Sequence, residues 1–237
     1  MNTSSHKLSF VIAAYNEAPR VGKTIERVLA LQLPWPYEII VVDDGSKDET
    51  ANVIRRYEPR VHLIQHDRNY GFGKAFRTGC AHATGDIIVR QDSDLEYPPE
   101  ETINLIEPIA DGRADVVYGF RAERHHAKDW KRRYQLGGNI INATAKMLYG
   151  FAIKDFITAA KAFRREVWEA MQIGSDGFEI ESETTAKAKR MGYRILCIPY
   201  SYFARSFAEG KKIRAKHAIP IIRDLFYWRV APIPHRT

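Results

Sequence analysis

The chain contains little cysteine and no long apolar run. Cys80 and Cys197 are its only cysteines, so it has neither a disulfide framework nor clustered zinc-ligand spacing, which favours a reducing compartment. No stretch reaches the roughly 18 consecutive apolar residues of a transmembrane helix. Residues 1–7 lead into a short strand-like run rather than the apolar region of a signal peptide. We therefore expect a cytoplasmic protein that does not cross a bilayer unaided.

The composition is that of an ordinary globular protein with a basic surplus. Hydrophobic residues make up 45% and charged residues 27% of the 237 positions, without repeats or low-complexity tracts. The net charge of +7 suits phosphorylated ligands, an anionic membrane surface or nucleic acid. Charge alone does not choose among these three kinds of partner.

Apolar runs and helical periodicity alternate along the first half of the chain. Strands are predicted at residues 8–14, 38–42, 61–65, 86–91 and 115–119. Helices are predicted at 18–31, at 46–57 with Ser46 and Glu49 as a capping box, at 72–83 and at 99–110. Continuous apolar strands between helices indicate an α/β fold with a mostly parallel sheet covered on both faces. Ligands bind at the carboxyl ends of such strands.

Three acids follow the strand predicted at residues 86–91. They are Asp92, Asp94 and Glu96, and such a cluster costs stability unless something positive binds there. Mg²⁺ and Mn²⁺ take oxygen ligands from one or two carboxylates and fill the remaining positions with water and phosphate. The alternative is a solvated turn, since Asp and Ser favour turns.

Polar residues also follow the first two strands. Asp43 and Asp44 end the second strand before Gly45, where a carboxylate can accept hydrogen bonds from a base or from ribose hydroxyls. The alternative is that Asp44 and Ser46 merely cap the next helix. Residues 14–17 (Ala-Tyr-Asn-Glu) end the first strand with groups suited to stacking on a nucleotide and hydrogen bonding to it.

A glycine-rich segment at residues 69–75 places Lys74 at a predicted helix start, where backbone amides favour an anion. The segment lacks the spacing of a P-loop or a dinucleotide-binding fingerprint. A simple glycine turn into a helix explains it equally well.

The ordered set of these segments resembles a known family. Residues 10–17, 41–46, 69–74, 77–79, 85–86 and 92–94 are similar in order and spacing to the motifs of family 2 glycosyltransferases with the GT-A fold. The resemblance is strong over residues 8–121 and looser through Asp155, 161–163, 177–179 and 205–211. This second half is most similar to dolichyl-phosphate mannosyltransferases and related polyprenyl-phosphate glycosyltransferases. Their arginine followed by G-E-S-K reads here Arg205 to Lys211, with Ala208 and Gly210 replacing Gly and Ser.

The resemblance implies a UDP- or GDP-linked sugar donor, with Mg²⁺ or Mn²⁺ bridging its diphosphate to Asp92 or Asp94, assisted by Glu96, and inversion at the anomeric carbon. Close relatives often place glutamine at Glu96, and the wider family usually has arginine at Lys161. Asp94 is the first choice for direct ligation and is counted with the catalytic residues. The implied donor contacts are Ala14, Tyr15, Asn16, Glu17, Asp43, Asp44, Lys74, Asp92 and Ser93.

The acceptor decides which further groups are needed. A sugar hydroxyl needs a general base, for which Asp155 is a candidate, although a structural role is expected for it. A lipid phosphate is already ionised and needs cationic positioning instead. Arg121, Arg132 and Arg205 match the subfamily's catalytic, phosphate-binding arginines, and Lys211 is a further acceptor contact. The alternative for each arginine is a solvated surface charge.

The C-terminus is basic and amphipathic. We expect a catalytic domain over residues 1–210 and a tail over 211–237, in which Pro220 can open a helix with Ile222, Leu225, Phe226 and Arg229 along one side. Such an end can lie in a bilayer interface, contact a membrane-spanning partner or pack on its own domain.

The expected function is metal-dependent, inverting sugar transfer to a polyprenyl phosphate at the cytoplasmic face of a membrane. One alternative is the same enzyme class with a carbohydrate hydroxyl acceptor. Another is a nucleotide-sugar-binding module without catalysis. We expect no nucleic-acid partner, because nucleic-acid binding explains the charge but not the acidic strand ends.

Overall fold

The computed structural model describes residues 6–125, 132–149, 154–205 and 218–235. The strands are β1 (Leu8–Ala14), β2 (Tyr37–Asp43), β3 (His62–Gln65), β4 (Ile87–Asp92), β5 (Val116–His125), β6 (Lys161–Arg164) and β7 (Ile195–Phe203). The helices are α1 (Ala18–Leu29), α2 (Thr50–Arg55), α3 (Phe72–His82), α4 (Thr102–Ala110), α5 (Arg132–Tyr149), α6 (Arg165–Met171), α7 (Ile180–Arg190) and α8 (Ala218–Val230). A search of these described ranges finds no helix with the length and apolarity to cross a membrane.

The strands form one sheet in the order β3-β2-β1-β4-β6-β5-β7. Only β6 runs antiparallel to its neighbours β4 and β5, while the remaining pairs are parallel. The prediction of an α/β fold with a mostly parallel sheet is therefore confirmed. Ala14 of β1 pairs with Asp43, and Ala13 with Asp92. The register thus brings the acidic ends of β2 and β4 to the two sides of β1.

Helices cover both faces of the sheet. Successive side chains of a strand point to opposite faces, so each central strand contributes to a buried cluster on either side. Phe10 and Ile12 of β1 join a buried cluster that includes Val21 of α1. Val11, between them, joins a second cluster that includes Phe76 of α3. The continuous apolar strands of the sequence are explained by this double burial.

The second helix begins later than predicted, and the capping box at Ser46 and Glu49 is wrong. The helix starts at Thr50, and the side chain of its N-cap residue, Glu49, makes no capping hydrogen bond. The Ser46 hydroxyl instead accepts a hydrogen bond from the backbone N–H of Asn16 at 2.9 Å. Ser46 therefore ties the loop after β2 to the loop after β1. The helix predicted from Pro99 begins with a short 3₁₀ turn, Pro99–Glu101, before α4.

The C-terminal helix α8 packs on the domain. Its buried side is held by hydrogen bonds to two backbone carbonyls, from Ser182 Oγ to Ile221 O at 2.8 Å and from Tyr149 Oη to Leu225 O at 2.7 Å. The prediction that Leu225 and Phe226 lie along the same side of this helix is wrong, because Leu225 is fully buried while Phe226 is 48% exposed. The outward side chains of α8 are Ile219, Arg223, Phe226, Tyr227, Arg229 and Val230.

Candidate functional site

The end of β2 carries a buried carboxylate with an unused oxygen. Asp43 is fully buried, and its Oδ1 accepts a hydrogen bond from the Ser46 amide at 3.2 Å. Its Oδ2 has no hydrogen-bond partner among the described residues. A buried acceptor without a donor is costly. An N–H or O–H group of a ligand would satisfy this oxygen, which fits the predicted contact to a base or ribose.

The neighbouring Asp44 orders the loop that enters α3. Its Oδ1 accepts hydrogen bonds from His66 Nδ1 at 2.8 Å and the Tyr70 amide at 3.0 Å, and its Oδ2 accepts one from the Gly71 amide at 2.8 Å. The Lys74 amide donates to Asp176 O at 3.0 Å. Because these amides already have protein acceptors, a phosphate contact from Lys74 would rest on its ammonium group.

The turn after β1 interlocks with the loop after β2. Asn16 has φ +50°, a left-handed conformation that asparagine tolerates better than most residues, and its Oδ1 accepts a hydrogen bond from the Lys47 amide at 2.9 Å. The Glu17 amide donates to Thr50 Oγ1 at 2.8 Å. Hydrogen bonds therefore join the predicted donor-contact segment, residues 14–17, to the loop that follows β2, and the two form one rim of the site.

The acids after β4 lie in a tight turn against β1. Ser93 Oγ donates to Ala13 O at 3.0 Å, and Asp94 Oδ1 accepts the Glu96 amide at 3.0 Å. Burial, together with the charges of Glu96 and Asp92, raises the pKa of Asp94 to about 7, against the opposing charge of Arg205. The turn therefore holds more negative charge than it can easily keep ionised.

Arg205 compensates part of this charge. Its guanidinium donates to Asp94 Oδ2 at 2.5 Å, to Glu17 Oε1 at 3.2 Å and to Glu96 Oε1 at 3.4 Å. The side chain of Arg205 is 10% exposed. A single cation from the end of β7 thus joins acids from the ends of β1 and β4.

A second arginine lies in the same network. Arg121 forms a two-pronged ion pair with Asp155 and lies over the Tyr202 ring, with 5.0 Å from its central carbon to the ring centroid. Tyr202 Oη in turn donates to Glu96 Oε2 at 2.8 Å. Glu96 is therefore hydrogen-bonded both to Arg205 and to Tyr202, the residue whose ring lies under Arg121.

The structure thus brings together most of the side chains predicted for this site. Asp43, Asp92 and Asp94 share one edge of the sheet with Glu17 and the two arginines. Arg132 is the first residue of α5, but its side chain is outside the described part of the chain. Lys211 also lies outside the described residues.

Sequence reasoning missed a buried cluster behind Asp92. Arg90 Nη1 donates to Glu181 Oε1 at 2.5 Å, Lys161 Nζ donates to Glu181 Oε2, and Arg90 Nε lies 3.5 Å from Asp92 Oδ1. The available signal was a charged residue, Arg90, inside a strand whose preceding residues are all apolar. A fully buried charge needs a partner, so that position should have prompted a search for an acid.

The carboxylates fit a hard cation that arrives together with phosphate oxygens. No group of three or more ligand-type side chains converges within the described ranges. Mg²⁺ is nevertheless usually held by only one or two carboxylates together with substrate phosphates. Asp92 and Asp94 provide such a pair, and the raised pKa of Asp94 reflects negative charge that a cation would relieve.

Known proteins are similar to this chain in sequence and in fold. A relative from Enterobacter sp. (strain 638), "Undecaprenyl-phosphate 4-deoxy-4-formamido-L-arabinose transferase", is 35% identical over 212 residues, or 87% of this chain and 62% of its own. The protein of the same name from Sodalis glossinidius is 37% identical, over 86% of this chain and 62% of its own. The chain thus spans about three-fifths of the length of these relatives.

A solved structure extends the likeness of the fold to almost the whole chain. Glucosyl-3-phosphoglycerate synthase from Mycobacterium tuberculosis, crystallised with Mn²⁺, UDP and glucosyl-3-phosphoglycerate, has a TM-score of 0.76 over 97% of this chain and 82% of its own, at 20% identity. The profile described as "Glycosyl transferase family 2" matches residues 9–171. With that match over more than half of its residues, the chain belongs to glycosyl transferase family 2.

Proposed function

We propose that the protein transfers a sugar, with inversion, from a nucleotide-sugar donor to a polyprenyl phosphate in a metal-dependent reaction. The observation that carries the proposal is the meeting of Asp92 and Asp94 with Arg205 at one edge of the sheet. Carboxylates suit the cation of a donor diphosphate, and guanidinium groups suit an anionic acceptor. The names of the relatives, which contain undecaprenyl phosphate, support the acceptor class.

The donor would bind across the ends of β1, β2 and β4. The unpartnered Oδ2 of Asp43 would accept a hydrogen bond from the base or the ribose, and the rim formed by residues 14–17 would border the nucleoside. Asp92 and Asp94 would hold the cation, Mg²⁺ or Mn²⁺, whose chemistry when bound is to stabilise the charge of the leaving diphosphate. Ser93, Asp44 and Lys74 stay predicted donor contacts, with Asp44 acting through the loop that it orders.

The acceptor would lie on the side of Arg205 and Arg121. A phosphate monoester is largely ionised at neutral pH and needs no general base. Asp155, the candidate base for a hydroxyl acceptor, is fully engaged by Arg121, which favours the phosphate. Arg205 would exchange Asp94 for the acceptor phosphate when the donor and its cation are in place. Arg132 and Lys211 stay predicted contacts to the same group.

We place the protein at the cytoplasmic face of a membrane, bound peripherally. The outward side of α8 exposes Ile219, Phe226 and Val230 together with Arg223 and Arg229. α5 adds exposed Met147 beside Lys146 and contains no acidic residue. Apolar side chains mixed with basic ones are suited to anionic lipid headgroups.

The test is a donor screen followed by a transfer assay. UDP- and GDP-sugars are screened by thermal shift with and without Mn²⁺, because a bound ligand raises the melting temperature. The stabilising donor is then incubated with undecaprenyl phosphate or with an oligosaccharide. Lipid-linked product supports the proposal. Product on the oligosaccharide alone overturns the acceptor assignment, and donor binding without any product supports a non-catalytic module.

A further inference from the structure

We propose that Arg90 is a positioning residue that orients the Asp92 carboxylate for the cation of the donor. The inference rests on the proposed function and extends it to a residue that would touch neither substrate nor metal. Arg90 lies two residues before Asp92 on β4 and is 7% exposed. In the described part of the chain, it is the only cationic side chain within ion-pair distance of Asp92.

The guanidinium of Arg90 is fixed along one edge. Nη1 donates to Glu181 Oε1 at 2.5 Å, and Glu181 is itself held by Lys161. Glu181 is on the first turn of α7 and Lys161 begins β6. Residues of α7 and β6, two elements distant in the sequence, therefore fix the position of one edge of the Arg90 guanidinium.

The flat face of Arg90 is fixed by an aromatic ring. Phe72 lies over it with 4.3 Å from the central carbon of the guanidinium to the ring centroid, a cation–π contact. Phe72 is stacked in turn on Phe178, with ring centroids 5.8 Å apart and planes 6° apart. Phe72 comes directly after Gly71 and Phe178 lies in the segment 177–179, so an aromatic side chain from each of these two motif segments supports Arg90.

With its edge and face fixed, Arg90 presents Nε to Asp92. Nε is buried and makes no hydrogen bond, and it lies 3.5 Å from Asp92 Oδ1. The charge of Arg90 attracts Oδ1 and would hold the Asp92 carboxylate in one orientation for the cation. Ligand carboxylates are commonly held by such outer partners, whose loss weakens metal binding.

Lysine could not replace Arg90 in this arrangement. A guanidinium offers an edge, a face and a separate Nε–H at once, whereas an ammonium is a point charge. Three ionisable groups, Arg90, Lys161 and Glu181, are buried together behind the partly exposed Asp92. Apolar residues of similar size would often stabilise a fold at least as well as such a cluster, which favours a role beyond stability.

The experiment compares Arg90→Lys with Lys187→Met in the full chain. Each variant disturbs one buried ion pair of α7, Arg90 with Glu181 or Lys187 with Glu183, but only Arg90→Lys alters the contact to Asp92. Isothermal titration calorimetry measures the Kd of UDP and of GDP with and without Mn²⁺, and melting temperatures report the stability of each variant. We expect Arg90→Lys to weaken Mn²⁺-dependent nucleotide binding about 10- to 100-fold, and Lys187→Met to stay within about threefold of the wild type even if its melting temperature falls further.

A milder variant covers the case in which Arg90→Lys does not fold. Phe72→Leu keeps an apolar side chain at a half-buried position but removes the ring over Arg90. It is expected to weaken Mn²⁺-dependent binding by more than threefold while leaving the weak metal-free binding unchanged. Equal losses with and without Mn²⁺ would overturn the inference, since a positioning role for Asp92 acts only through the cation.

The outcomes separate this inference from the proposed function. Wild-type protein that binds neither UDP nor GDP in the presence of Mn²⁺ overturns both. Wild-type binding that needs Mn²⁺, combined with an unaffected Arg90→Lys or with equal losses in Arg90→Lys and Lys187→Met, overturns the positioning role alone. A selective loss in Arg90→Lys supports it.

Discussion

Arg205 Nη2 donates a hydrogen bond to Asp94 Oδ2 at 2.5 Å, between residues 111 positions apart in the sequence. The oxygen that we propose as a metal ligand is thus already occupied by a cation of the protein. Arg205 and an incoming metal ion compete for the same carboxylate. This competition links the metal side of the site to the acceptor side, because Arg205 is also one of the three arginines proposed for the acceptor phosphate.

Removing Arg205 should strengthen metal binding in the absence of nucleotide. Arg205→Ala frees Asp94, Glu96 and Glu17 from their shared cation, so the negative charge at the site increases. Electron paramagnetic resonance of free Mn²⁺ should report a severalfold lower Kd for Arg205→Ala than for the wild type. Arg205→Lys keeps the charge and should bind Mn²⁺ as the wild type does. A higher Kd in Arg205→Ala would contradict the competition.

The same variant should be impaired mainly towards the acceptor. If Arg205 binds the acceptor phosphate, Arg205→Ala loses a charge-assisted hydrogen bond of about 1.5–3 kcal/mol. The KM for polyprenyl phosphate should therefore rise by about tenfold or more, with a smaller change in the KM for the nucleotide sugar. Steady-state kinetics with each substrate varied in turn checks this. An effect confined to the donor would remove the acceptor role of Arg205.

Asp94→Ala should abolish metal-dependent transfer and leave the fold intact. The substitution removes the carboxylate proposed as the first metal ligand, while the surrounding turn retains the Ser93–Ala13 hydrogen bond. Transfer is measured across a Mn²⁺ and Mg²⁺ titration, and circular dichroism checks the fold. Asp111→Ala, at an exposed acid whose ion pair is with Arg113, is the matched control and should retain full activity. Full activity in Asp94→Ala would refute the metal assignment.

Glu38 should make the protein sensitive to acid. Partial burial raises its pKa, but hydrogen bonds from Ser9, Thr84 and Lys7 outweigh this effect and lower the pKa to about 2. A carboxyl group whose pKa is lower in the folded state stabilises the fold above its unfolded pKa, near 4.5, and this contribution is lost as the pH falls towards 2.

The melting temperature of Glu38→Gln should accordingly lie below that of the wild type at pH 6, and the difference should shrink as the pH falls below about 4.5. Thermal denaturation at a series of pH values measures it. Glu107→Gln, at an exposed position of α4, controls for the loss of one negative charge. A difference that stays constant down to pH 2 would contradict the role given to Glu38.

The outward side of α8 should mediate membrane binding. Phe226→Ser removes an apolar side chain that is 48% exposed, so the fold should be unaffected. Sedimentation with vesicles containing anionic phosphatidylglycerol should show weaker binding than for the wild type, while the affinity for soluble UDP with Mn²⁺ stays the same. Arg113→Ser, at an exposed position away from α8, is the control. Unchanged sedimentation of Phe226→Ser would remove α8 from the membrane contact.

The first half of the fold was predictable because its strands are apolar and its turns are marked by polar residues. β1 covers Leu8–Ala14, as predicted. The second half gave no such pattern, and the reason is visible in α7. Glu181, Ser182, Glu183, Thr184, Thr185 and Lys187 are all buried in it. Polar partners stabilise these buried side chains, both within the helix, as in the Glu183–Lys187 pair at 2.6 Å, and from other elements, as in the Glu181–Arg90 pair at 2.5 Å. The helix therefore lacks the hydrophobic periodicity by which it could be recognised.

The composition of the site was more predictable than its connections. The acids at strand ends were predicted from local motifs, and the arginines were predicted from the resemblance to the family. The bonds from Arg205 to Asp94 and from Tyr202 to Glu96 join residues that no local pattern relates. Arg90 was overlooked because its partner Glu181 lies 91 residues away.

The family profile ends at residue 171, whereas Tyr202 and Arg205 lie beyond it and contact Glu96 and Asp94 inside it. The part of the chain that the profile matches therefore does not contain the counter-charge of Asp94. A change of sequence in the segment after β7 can therefore alter how strongly Arg205 binds Asp94, without altering any residue at the strand ends. Such a change would alter how readily the site takes up a metal ion before the nucleotide arrives, while the acids proposed to hold the ion stay the same.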